Sequence, residues 1–141
     1  MSVSEKMMSL HRYFIWADRM RVHCEQLLKS KRQDVLNTES IEHLEYIMYM
    51  SFWYGELFVV VEGWQNLKIS DPKIDELLKN EENLKYLKRY RNGVFHFQEN
   101  YFDTRFTDLI EEKSSPKWIR ELNMEFSRYF LDYFKNQKSQ P

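Results

Sequence analysis

An arginine, an adjacent amide and a histidine stand together at Arg91, Asn92 and His96. They lie within the aromatic-flanked string Tyr-Arg-Asn-Gly-Val-Phe-His-Phe at positions 90–97. Arginine is permanently cationic, and its planar fork matches the oxygens of a phosphate. Histidine is the side chain that takes and gives protons near neutral pH without help from its surroundings. Cleaving a phosphodiester needs both parts: a proton shuttle, and a fixed positive charge where negative charge develops. The plainer reading is structural. An arginine near a helix C-terminus favours the negative pole of the helix, and a histidine between Phe95 and Phe97 can be a core residue bonded to a carbonyl.

The spacing sets a condition on the chemistry. Arg91 and His96 are five positions apart, which on a straight helix is about 140° of rotation. One face does not carry both, as it would an i,i+4 pair. Gly93 between them could permit a kink, or two chains could complete one site across a two-fold axis. Lys85, Lys88, Arg89 and Arg91 place four cations on the approach to this string. They read equally as a phosphate-binding patch or as a solvated helix face balanced by Glu81 and Glu82.

Other constellations fail on geometry. A carboxylate-bridged metal site in a bundle needs paired Glu-x-x-His motifs, and His43 with Glu39 and Glu42 offers no second copy. One cysteine and four scattered histidines do not make a zinc site. Gly55, Gly63 and Gly93 are isolated, so no phosphate loop is present. Cys24 and His23 are neighbours that cannot face each other on a helix. No metal and no cofactor is expected.

Helical periodicity supplies the elements that must position the string. The first helix is expected over 3–29, with Ser2 and Glu5 as a capping box and Leu10, Phe14, Ala17, Cys24 and Leu28 on one stripe. Residues 30–37 are polar and read as a connection. A second helix over 40–65 is apolar almost all round, so it is either central or shared between subunits. Its exceptions, Glu56 and Glu62, either face solvent, the favoured reading, or approach the motif helix and orient Arg91. Asp71-Pro72 marks a cap followed by proline at the first helical position, opening a short helix over 72–79. A helix from Asn80 to about position 98 carries the motif. A short helix follows over 100–113, and Ser115-Pro116 opens the last, running to about position 135. Residues 1–136 then form one all-α domain, an antiparallel bundle of four main helices with one or two short ones. Residues 137–141 read as a flexible tail.

Composition narrows the setting. Basic and acidic residues number 21 and 22, for a net charge of −1, so no global field holds nucleic acid. Any RNA contact must be local, through Lys85, Lys88 and Arg89. A single cysteine and the lack of a secretory apolar region at 1–15 fit a cytoplasmic protein. The most apolar run, 46–61, is broken by Ser51, Gly55 and Glu56 and is unsuited to span a membrane. Aromatic residues reach 16%, which suggests a bulky core or an apolar face committed to a partner.

Arginine, a polar residue and a histidine a few positions later resemble the signature of the HEPN family, the higher eukaryotes and prokaryotes nucleotide-binding domain. The specific residues lie within 89–98, and the long helices resemble the HEPN layout. The resemblance implies a homodimer with two motifs facing each other. It also implies metal-independent RNA cleavage through the 2′-hydroxyl, with His96 as acid or base, Arg91 stabilising the phosphorane and Asn92 orienting the phosphate or the imidazole. One departure matters. Some HEPN toxins carry a tyrosine two positions after the histidine, where an antitoxin modifies it. Gln98 stands there, so an antitoxin partner acting in that way is unsupported. Two other classes remain open: a non-catalytic module binding a nucleotide or a protein through the same residues, and a helical structural protein with a buried polar motif.

Overall fold

The computed structural model describes residues 4–138, which form seven helices and no strand. In chain order these are α1 (Glu5–Ser30), α2 (Arg32–Leu36), α3 (Ile41–Asn66), α4 (Pro72–Leu78), α5 (Glu81–Phe95), α6 (Thr104–Glu111) and α7 (Ser115–Lys138). The expected layout of four main helices with one or two short ones is therefore wrong, although the all-α class holds. The error lies mainly at 30–37, read as a connection because it is polar. Val35 is 1% exposed and anchors α2 as an amphipathic turn. The His43 ring of α3 hydrogen-bonds the Val35 carbonyl at 2.7 Å. One buried apolar side chain was too faint a signal against six polar neighbours.

Local chemistry sets most of the helix ends. Ser4 accepts from the Met7 amide and caps α1; the expected cap, Ser2, lies outside the described residues. Ser40 caps α3 through the His43 amide, and Asp71 caps α4 through the amides of Lys73 and Ile74. Each cap satisfies backbone donors that have no partner within the helix. The last helix continues to Lys138, beyond the expected start of the tail.

The C-terminal two thirds of α3 is the centre of the molecule. Trp53, Leu57, Phe58, Val60, Val61 and Trp64 are all buried there, with α1 along one flank and α5 along another. A polar bridge crosses three helices: Trp53 donates to Asn123 at 3.0 Å, and Asn123 donates to Asp18 at 3.0 Å. It satisfies buried polar groups that would otherwise each cost about 1–3 kcal/mol. The N-terminal third of α3 differs. Ile41, Leu44, Met48 and Phe52 recur at helical spacing and stay exposed, so the all-round apolar character serves the core at one end and the surface at the other.

Candidate functional site

Helix α5 carries the motif on its last turns. Asn80 caps its start by accepting from the Asn83 amide, and Leu87 and Tyr90 bury its inner face. The helix runs without interruption from Glu81 to Phe95, so Gly93 is not a kink. A Cβ at Gly93 would lie 2.9 Å from the Phe106 ring and 3.2 Å from the Arg105 Cβ. Glycine is there because α6 closes tightly onto α5. The helix ends three residues earlier than expected: His96 is the C-cap, with extended backbone. Gln98 holds the departing chain. It donates to the His96 carbonyl at 2.8 Å and accepts from Arg105 at 3.0 Å.

Arg91 and His96 are thereby turned apart, and no hydrogen bond links them. Arg91 faces α3. Its Nη1 donates to Glu62 at 2.6 Å, its Nε to Asn92 at 3.1 Å, and its guanidinium lies over the Phe58 ring, 5.0 Å from the centroid. Glu62 is exposed, as favoured from the sequence, and it is also the carboxylate that positions Arg91. The pairing spans 29 positions of sequence and has no local signature. Nη2 of Arg91 has no hydrogen-bond partner among the described residues. His96 is exposed, and its ring likewise has none. Glu56, a further acid of α3, is half-buried. Burial holds its carboxyl above its ordinary value, and its Oε2 has no partner among the described residues.

The expected cation patch divides. Lys85 and Lys88 are exposed and unpaired among the described residues, on the helix face that Asn92 continues. Arg89 is instead committed to the fold: it donates to Thr104 at 2.8 Å and stands 3.6 Å from Asp108, tying α5 to α6.

His96 lines an apolar groove of about 550 Å³ between α3, α5 and α6. Tyr90, Gly93 and Val94 form one wall; Met48, Ser51 and Phe52 form another; Tyr101, Phe102 and Phe106 close the third side. Within it the Ser51 and Tyr90 hydroxyls are 3.0 Å apart. Burial pushes the Tyr90 phenol up to about 12, against the opposing Ser51 hydrogen bond, so it stays protonated at neutral pH. His43 also lines the groove. Apart from His96, none of these groove residues was legible as a site, because they come from three helices and a loop and share no motif.

Among the described residues no group of three or more His, Cys, Asp or Glu side chains could hold a metal ion. No helix among them is long and apolar enough to cross a membrane. Burial pushes the Cys24 thiol up to about 12, which keeps it an inert core side chain. Compared with models of protein families, with curated proteins and with solved structures, the chain matches none.

Proposed function

We propose that the chain is a metal-independent endoribonuclease of the HEPN type, with its site completed across a homodimer. The observation that carries this reading is the pair of unspent groups at the end of α5. Arg91 is held by Glu62 and Asn92 yet keeps Nη2 for an anion, and the His96 ring is exposed with no partner among the described residues. In the proposed reaction the RNA 2′-hydroxyl attacks the adjacent phosphorus. His96 takes its proton or delivers one to the departing 5′-oxygen, Arg91 stabilises the phosphorane, and Asn92 orients the phosphate. The products are a 2′,3′-cyclic phosphate and a 5′-hydroxyl.

Because Arg91 and His96 diverge within one protomer, the reading needs a second copy to bring a histidine opposite an arginine. The exposed apolar stripe Ile41, Leu44, Met48 and Phe52, continued by Phe95 at 45% exposure, supports such a partner surface beside the motif. A protein antitoxin covering that stripe would silence the site by occlusion.

The test is cleavage of single-stranded RNA by purified protein in excess EDTA, with end-group analysis and an all-DNA analogue as control. Cyclic phosphate ends, surviving DNA and loss of cutting in His96→Ala are the expected results. Equal traces of cutting by wild type and variant would mean contamination. A second reading, a non-catalytic module for a nucleotide or a protein, is favoured by the 2.6 Å Glu62–Arg91 pair, which neutralises much of the charge a phosphorane would need. Glu62→Gln separates the two. It raises the cleavage rate or leaves it intact if Arg91 acts on phosphate, and has no rate to change if the chain only binds.

A further inference from the structure

We infer that the groove between α3, α5 and α6 is a subsite for a nucleobase of single-stranded RNA, the base beside the phosphate that His96 would serve. The inference rests on the ribonuclease reading for the identity of the polymer, and on the groove itself for the chemistry of the ligand.

Among the described residues the groove lining contains aromatic, aliphatic and polar side chains, two histidines included, but no Lys, Arg, Asp or Glu. It therefore suits an uncharged ligand and offers nothing to a phosphate. Tyr101 and Phe102 at its edge are each 72% exposed. They present flat, solvated rings of the kind on which bases stack. The inner surface is not purely apolar, as a lipid or a hydrocarbon would prefer. The Ser51 hydroxyl, paired with that of the buried Tyr90, supplies a neutral polar group. His43 adds another: its Nδ1 lies 2.7 Å from the Val35 carbonyl, which can only accept, so in the neutral ring the other nitrogen is an acceptor. A heteroaromatic ring with a hydrogen-bonding edge suits a lining that mixes flat rings with neutral donors and acceptors.

Charge is sorted across α5 in the same sense. Tyr90, Gly93 and Val94 face the groove, whereas Arg91 turns to Glu62, and Lys85 and Lys88 lie exposed on the opposite side. His96 stands at the helix end, where the neutral surface meets the cationic one. A nucleotide has this division built in, a neutral planar base joined to an anion. A base in the groove would bring its sugar and phosphate out past His96 toward the cations.

The experiment is an NMR titration of the ¹⁵N-labelled full chain with adenosine, uridine and their 3′-monophosphates. Ribose 5-phosphate serves as the base-free probe, and RNA cleavage is assayed in parallel. Nucleosides should move amide signals at 43–52 and 96–107, and ribose 5-phosphate should not. Tyr101→Ala with Phe102→Ala should weaken nucleoside binding by about ten-fold and leave signals around Arg128 in place. Tyr101→Phe with Phe102→Trp, which keeps the rings, should bind as wild type. The inference is overturned if nucleosides leave the groove signals still, or if ribose 5-phosphate moves them equally. It is also overturned if those signals report only concentration-dependent self-association that nucleosides do not compete, since a second copy then fills the groove. Nucleoside binding in the groove without any RNA cleavage would keep the subsite and sink the nuclease reading. Cleavage with no base signal in the groove would do the reverse.

Discussion

Two of the arginines that carboxylates hold in this molecule, Arg128 and Arg91, are held differently. Arg128 of α7 is surrounded. Its Nη2 meets Asp71 at 2.7 Å, its Nε meets Glu125 at 2.6 Å, and its Nη1 approaches Asp132 at 3.9 Å. Asp71 is also the cap of α4, so the cluster pins the start of one helix to the side of another. Arg91 has a single carboxylate, a neighbouring amide and a ring beneath it. Among the described residues one of its nitrogens is unspent, and so is the His96 ring at the end of the same helix. Arginine saturated by acids is architecture, whereas arginine oriented but not saturated keeps the capacity to meet an anion.

Rates should separate the two most widely. Under the proposed function, His96→Ala removes a proton shuttle and lowers RNA cleavage by roughly 10²–10⁴. Arg91→Ala removes one electrostatic donor and lowers it by roughly 10²–10³, and both keep the helical circular dichroism of wild type. Arg128→Ala should leave the rate per folded molecule unchanged. If it matches Arg91→Ala in single-turnover assays, the contrast between the two arginines is lost.

Stability should order them the other way. Arg128→Ala leaves Asp71, whose side chain is 13% exposed, with only its cap amides, and should cost about 2 kcal/mol in urea unfolding. Arg91→Ala loses one half-exposed pair and a cation–ring contact, and should cost about 1 kcal/mol. A larger loss at Arg91 would make the motif structural.

The Arg128 cluster should also show a pH signature. Burial by itself would raise Asp71, but the Arg128 guanidinium and the Ile74 and Lys73 amides outweigh it and hold the carboxyl below its ordinary value. A folded value below the unfolded one means stability that is full above the unfolded value and lost as pH falls through the folded value. The stability gap between wild type and Asp71→Asn should therefore be widest near pH 6 and shrink toward pH 3 and below. A gap constant across that range would show that Asp71 acts only through its neutral hydrogen bonds.

The smallest effect concerns the cations outside the site. Lys85→Ala with Lys88→Ala should weaken RNA binding uniformly across sequences. It should also reduce the slope of log affinity against log salt by roughly 1–2, as fewer counterions are released. Arg89→Ala should instead lower the melting temperature, because Arg89 joins α5 to α6. Unchanged salt dependence in the lysine pair would assign those side chains to plain solvation.

What could be read from the chain follows the reach of each interaction. Asp71-Pro72 announced a helix start because a cap bonds amides two and three residues away. The long amphipathic runs were legible because helical periodicity repeats within a few residues. The short α2 was not, since it depends on Val35 meeting α3, and neither was the early end of α5, where Gln98 ties His96 to Arg105 of the next helix.

The sequence by itself determined the helical class, most helix starts and the presence of Arg91, Asn92 and His96 in one short string. Tertiary structure decided what those residues face. Glu62 reached Arg91 from 29 positions away, Arg89 was drawn into the fold by Thr104, and His96 was set at the rim of a groove assembled from three helices and a loop. Caps and periodicity are satisfied within one or two turns of backbone. The pairing of a charge, or the lining of a cavity, depends on which helices pack together, and that is settled only when the core closes.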